Sequence, residues 1–198
     1  SAQFEITGTA PLVVHRFSRK AKEAMLATME AGSTARGKKK REPLDREAAF
    51  NGSRYISKAG WDGFNAAALR CAMISACRLV GFKMTLAKLS IFIEQDGWDA
   101  DEPQIPLVRI YGTPRILETP ARVETGQFYI TIRASYDNWK ARPVIRWDAD
   151  QFTLADIANL LSRVGAQGGI CEGRPDSRNS AGMGWGLFSV SGKRGNRK

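Results

Sequence analysis

Two stretches of helical periodicity, each set between stretches that alternate apolar and polar side chains, constrain this chain more than any other feature of its sequence. In the first, Asn65 to Val80, the residues Leu69, Met73, Ala76 and Val80 recur on one helix face, and the many alanines permit close packing. In the second, Thr153 and Asp156 make a capping-box-like start to a helix through Val164, with Leu154, Ile157, Leu160 and Leu161 inward. Period-two alternation predicts strands at Phe4 and Ile6, at Leu89, Ile91 and Ile93, and at Phe128 to Ser135, where Phe128, Ile130 and Ile132 share an apolar face. A shorter extended piece is expected at Val144 to Trp147 and a last strand at Trp185 to Val190. With the apolar run Pro11 to Val14 following, the first strand reads as interrupted or bent around Gly8 to Pro11. The order strand, helix, strand, strand, helix, strand predicts an α+β fold with a ferredoxin-like or RNA-recognition-motif core. Such a sheet carries both helices on one face. The opposite face, with the loops at the helix ends, is then free to hold an extended nucleic acid strand.

Additions to that core are expected in three places. Ser18 caps a helix running to about Met29, with Lys20 and Lys22 exposed. From 31 to 60 the composition shifts to Gly, Ser, Lys and Arg, including Arg36-Gly-Lys-Lys-Lys-Arg41, and predicts a mobile basic insertion with a short strand at Tyr55 and Ile56. Residues 96 to 118 read as a hairpin-like β elaboration, an acidic turn followed by extended pieces at Leu107 to Tyr111 and Arg115 to Leu117. Residues 191 to 198 form a basic tail. At 198 residues, a single domain over 1 to 198 is the expectation.

Charge narrows the class of partner. Thirty Lys and Arg against twenty Asp and Glu give a net charge of +10, the footprint of a protein that meets polyanions. Hydrophobic residues at 43% argue for a folded protein rather than a disordered one. No apolar run approaches the ~18 residues of a membrane span, and no secretory leader pattern precedes the first strand, so a cytoplasmic protein without a membrane partner is expected. The three cysteines, Cys71, Cys77 and Cys171, form neither a disulfide framework nor a zinc knuckle, and Cys71 and Cys77 read as buried thiols of the alanine-rich helix. The carboxylates Asp96, Asp99, Asp101 and Glu102 suggest a solvated acidic loop, or a contact for a neighbouring subunit's basic surface, rather than a metal site. No metal or other cofactor is expected.

The segment from Gly165 to Gly186 carries the strongest functional signal. Glycines let backbone N–H groups approach phosphates closely, so Gly168 and Gly169 are candidate phosphate contacts, with Arg174 and Arg178 adding charge and planar donors. A flexible connection between the last helix and the last strand is the plainer alternative. Lys20, Lys38, Lys39, Lys40, Arg41 and Lys58 suit phosphate neutralisation rather than sequence readout. Arg70, near a helix start that already favours an anion, is a further candidate, or a partner for Asp62. Trp61, Trp185 and Tyr129 are rings that either stack on bases or belong to the core.

With these residues in view, the chain resembles the RAMP superfamily of class 1 CRISPR systems, in particular the repeated backbone subunits that coat guide RNA. The resemblance rests on Gly60-Trp-Asp-Gly-Phe-Asn-Ala-Ala-Ala-Leu-Arg70, a glycine turn into a small-residue helix with an early arginine. It rests also on the loop Gly168-Gly-Ile-Cys-Glu-Gly-Arg174 with Gly182-Met-Gly-Trp-Gly186, and on the basic insertion after the first strand. The first turn reads Lys58-Ala-Gly-Trp-Asp62 where the family carries a Pro-Gly-Ser run. The resemblance implies a non-catalytic subunit of an antiviral ribonucleoprotein filament. Its partners would be single-stranded RNA or DNA, further copies of itself and other effector-complex subunits. Two alternatives stand beside it. His15, the only histidine, lies where some guide-processing RAMP ribonucleases place a catalytic histidine and suits metal-independent acid–base chemistry, or it is a structural residue among Pro11 to Phe17. The other is a phage or mobile-element single-strand DNA-binding protein or decoy on the same fold.

Overall fold

The computed structural model describes residues 1–17, 19–30, 45–122, 128–177 and 182–194. The alternation at Phe4 and Ile6 becomes β1 (Ala2–Gly8), with both side chains buried. β2 (Leu12–Val14) does not continue it. The backbone turns at Thr9 and Ala10, whose N–H groups both donate to the Leu187 carbonyl, and Leu12 to Val14 enter a different sheet. α1 (Arg19–Glu30) follows.

Part of the stretch expected to be mobile is folded. Asp45 caps α2 (Arg46–Gly52) by accepting from the N–H groups of Glu47 and Ala48, and β3 (Tyr55–Ile56) then pairs with β4 (Asp62–Asn65). Residues 31–44 lie outside the described residues. α3 (Ala66–Val80) begins at Asn65, whose side chain accepts from Ala67 N–H, and ends at Gly81 in the left-handed region at φ +75°. It buries Leu69, Met73 and Ala76 as its spacing predicts but leaves Val80 half-buried, and the Cys77 thiol is buried as expected, whereas Cys71 is exposed rather than buried.

The strand expected at Leu89 starts later. α4 (Met84–Ser90) runs directly into β5 (Ile91–Glu94), so Leu89 lies on a helix and is 79% exposed. The expected elaboration over 96–118 is not one hairpin. β6 (Gly97–Trp98) and β7 (Pro106–Arg109) join the sheet β3-β4-β7-β6, while β8 (Arg115–Arg122) pairs with β9 (Phe128–Tyr136) in the sheet β2-β9-β8. β9 buries Ile132 but leaves Ile130 58% exposed, because the β8–β9 ribbon runs on beyond the core.

The largest sheet places β1 at its centre. β10 (Lys140–Ala141) and β11 (Val144–Trp147) lie along one side of β1, with Ile6 opposite Ala141 and Gln3 opposite Val144. Pro143, which has no N–H to give the ladder, falls in the break between them. β5 pairs with β11, and β12 (Phe188–Arg194) with the other side of β1, all antiparallel. The order across the sheet is therefore β12, β1, β10 with β11, and β5. The last strand starts at Phe188, with Trp185 in the turn before it, and four residues of the expected basic tail belong to it.

α5 (Leu154–Arg163) has the complete Thr153/Asp156 capping box and passes into a π-helical turn at Val164–Gly168. α3 and α5 pack together on one face of the largest sheet, where Leu69, Met73, Ile157, Leu160 and Leu161 meet Phe4, Ile6, Ile91 and Ile145 in one buried cluster. At roughly 1.5–3 kcal/mol for each large apolar side chain, this layer is the main source of stability. No helix among the described residues is long and apolar enough to cross a membrane.

Candidate functional site

The glycine-rich segment folds back on itself beside β2. Ile170 N–H donates to the Gly186 carbonyl and Trp185 N–H to the Gly173 carbonyl, so its two arms pair, and Gly186 N–H donates to Pro11. Glycine is required by close approach as well as by φ. A Cβ on Gly186, at φ +71°, would lie 1.9 Å from the Ile170 carbonyl oxygen, and one on Gly173 would lie 2.2 Å from the Trp185 ring. On either side of residues 178–181, which lie outside the described residues, the segment is thus packed, and Trp185 is spent on holding its two arms together. Cys171 sits at φ +64°, a conformation a side chain seldom adopts, and desolvation pushes its thiol up to about 12, so it stays protonated.

One bond fixes the site. Glu172 N–H donates to the Val13 carbonyl at 3.0 Å, which sets the Glu172 side chain beside the residue that follows β2. Glu172 Oε2 then accepts from Arg133 Nε at 2.8 Å and lies 3.4 Å from His15 Nδ1. Arg133 comes from the polar face of β9. Burial and the Arg133 charge hold the His15 pKa below its ordinary value against the opposite pull of Glu172, so the ring is neutral at neutral pH.

Around these groups opens a cleft of about 430 Å³, lined among others by His15, Tyr55, Asn65, Ser177 and Arg174. Tyr55 arrives on β3, Asn65 at the end of β4 where it caps α3, Ala68 on the first turn of α3, and Arg174 from the glycine loop, where its Nη1 donates to the Cys171 carbonyl at 2.9 Å. Burial raises the Tyr55 pKa, so its phenol keeps its proton. With Glu172 balanced by Arg133, the cleft offers one guanidinium, a positive helix end and several neutral hydrogen-bonding groups. That chemistry accepts an anion or the edge of a planar heterocycle.

No protein-family model matches this chain, and no curated protein matches it.

Of the residues singled out in the sequence, the fold brings His15 and Arg174 into the cleft. Gly169 is buried behind it, where a Cβ would meet the Trp185 carbonyl oxygen at 2.8 Å, and Gly168 borders a second hollow of about 570 Å³ between α3 and the π-helical turn. Arg70 does not reach Asp62. Its Nε donates to the Ile91 carbonyl at 2.8 Å and its Nη2 to the Lys88 carbonyl, clamping α4 to β5, while Asp62 is held by Arg54 at 2.7 Å. Lys58 is exposed in the turn between β3 and β4 and does not line the cleft. Trp61 packs against Gly63 and Gly97, and Tyr129 is exposed on the β8–β9 ribbon. Lys20 lies on α1, and Lys38, Lys39, Lys40, Arg41 and Arg178 fall outside the described residues.

The acidic loop closes on two cations, while Asp96 and Asp101 stay exposed. Asp99 is 1% exposed and holds Arg16 Nη2 at 2.8 Å, Asp101 takes Nη1 of the same guanidinium, and Glu102 pairs with Lys22. Tyr55, Arg133 and Glu172 were not legible as site residues from spacing. The available hints were weak ones: Arg133 on the polar face of an alternating strand, and Glu172 inside the glycine motif.

Proposed function

We propose that the chain binds single-stranded nucleic acid without cutting it. The observation that carries this reading is the cleft itself. Arg174, the first turn of α3 and the neutral His15 and Tyr55 converge there in a chain of net charge +10. The strand order β12, β1, β10 with β11, β5, with α3 and α5 on one face, supports a ferredoxin-like core, the framework on which such binding is built in the RAMP superfamily. In that reading the protein is a repeated backbone subunit that lies along a guide RNA in the cytoplasm, copy against copy.

Anisotropy titrations of a labelled single-stranded RNA and its DNA counterpart test it. Log affinity falls with log salt at about −0.7 per phosphate contacted, and Arg174→Ala weakens binding with the melting temperature unchanged. A flat salt dependence overturns the proposal.

A second reading, a metal-independent ribonuclease, is favoured by one observation: His15 stands neutral and 47% exposed beside Glu172 in an open cleft, as a general base requires. Cleavage of labelled RNA in chelator by the wild type, lost in His15→Ala, establishes that reading in place of the first.

A further inference from the structure

The open face of the largest sheet, opposite α3 and α5, and the adjoining end of β7 together carry guanidinium groups interleaved with aromatic rings. Arg109 lies over both Trp61 and Tyr111, at 5.8 Å and 5.0 Å from the ring centroids, and Arg142 covers Tyr111 at 5.3 Å. Tyr111 is tied to this face because it exchanges both backbone hydrogen bonds with Lys140 of β10. Further along, Arg146 pairs across the ladder with Phe92 and lies 4.7 Å from its centroid, while Arg70 approaches the same ring at 5.1 Å. Ala141 and Ile145 point into the core, so Lys140, Arg142 and Arg146 project from the opposite side.

Most of these groups are exposed, while Phe92, Trp61 and Arg70 are half-buried. Arg109, Arg142 and Arg146 are exposed and Tyr111 is 42% exposed. Arg142 is paired with Glu5, but neither Arg109 nor Arg146 forms an ion pair with a carboxylate among the described residues. Asp96 accepts the backbone N–H of Arg109 instead. A guanidinium flat against a ring keeps its N–H edge for a phosphate, and the ring and guanidinium planes both accept a stacked base.

We infer that this sheet face is a second track for single-stranded nucleic acid, distinct from the cleft, on which bases stack at Tyr111 and Phe92 while Arg109 and Arg146 take the phosphates. The inference rests on the nucleic-acid reading above. An acidic protein would use the charge of the face but not its alternation of planar groups. For that reason the occupant is a strand of bases.

The test uses the full chain and a fluorescein-labelled oligouridylate of about twenty nucleotides. Arg109→Glu combined with Arg146→Glu weakens binding by at least about tenfold, and the matching pair of Lys substitutions, which keeps charge but loses the planar stack, gives an intermediate loss. Tyr111→Leu weakens binding by about tenfold, and a 4-thiouridine probe cross-links to the peptides holding Tyr111 or Phe92, a readout that does not depend on any variant folding. Unchanged affinity in the double glutamate variant, with Arg174→Ala still weakened, overturns the sheet-face track alone. No binding by the wild type overturns the nucleic-acid reading and this track with it. Equal competition by polyaspartate of matched charge, with no cross-link at either ring, assigns the face to an acidic protein and likewise overturns it.

Discussion

His15 and Arg133 share one oxygen of Glu172, yet burial first and the Arg133 charge second set the protonation of the ring. Because burial and Arg133 lower the folded pKa of His15, the unfolded chain takes up a proton near the ordinary value of about 6.5 that the folded ring refuses. The unfolded state then binds more protons, so stability is lost as pH falls through that window. Urea midpoints measured at about pH 7.5 and about pH 5 fall toward acid in the wild type, and the difference shrinks in His15→Gln. If the midpoint of the wild type rises on acidification, Glu172 outweighs burial. Arg174 is the other residue on which the cleft depends: it lines the opening with its Nη1 bonded to the Cys171 carbonyl.

At the level of elements, the reason the helices were legible is that their signals are local. Thr153 and Asp156 bond each other's backbone N–H groups across a single turn, and the Asp156 carboxyl is held below the usual carboxylate range by its bonds to the Thr153 hydroxyl and backbone. Thr153→Ala removes one side of this box and costs about 1 kcal/mol in denaturant unfolding. The part that Asp156 contributes is present above the ordinary Asp value of about 3.9 and fades as pH falls toward its lower folded value. Leu89 shows the opposite case. Its alternation with Ile91 and Ile93 fits a strand, yet Arg70, reaching from α3, clamps the Lys88 and Ile91 carbonyls on either side of the α4–β5 junction. A contact from so far along the chain leaves no periodic trace.

Across the whole molecule, the sheet that carries Tyr55 is tied to the end of β2 by the buried Arg16–Asp99 pair, and Lys22 of α1 reaches Glu102 of the same loop. Asp99 Oδ1 also accepts the N–H groups of Asp101 and Glu102, while Asp99 Oδ2 and Arg16 Nε are buried without a hydrogen-bond partner. Asp99→Ala leaves the buried guanidinium with only the half-exposed Asp101 as partner, so it costs up to about 3 kcal/mol by thermal or urea unfolding. Arg16→Met combined with Asp99→Leu costs less than Asp99→Ala alone, because no buried charge remains. A double variant as unstable as the single one would show that the pair contributes more than mutual compensation.

The two helices, the strands that alternate cleanly, the basic character of the chain and the prominence of the glycine loop are all legible in the order of residues alone. Each follows from periodicity, capping or composition within a short window. The tertiary structure settled that Leu12 to Val14 leave the first sheet, that the acidic loop closes on Arg16, and that Gly169, Gly173 and Gly186 serve close packing against Trp185 and Ile170. It also decided which of the many cations meet: Arg133 and Arg174 at the cleft, Arg109, Arg142 and Arg146 on the open sheet face. Charge repeats too often along this chain for spacing to pair it. Strand register and the packing of side chains distant in sequence assign each cation its neighbour.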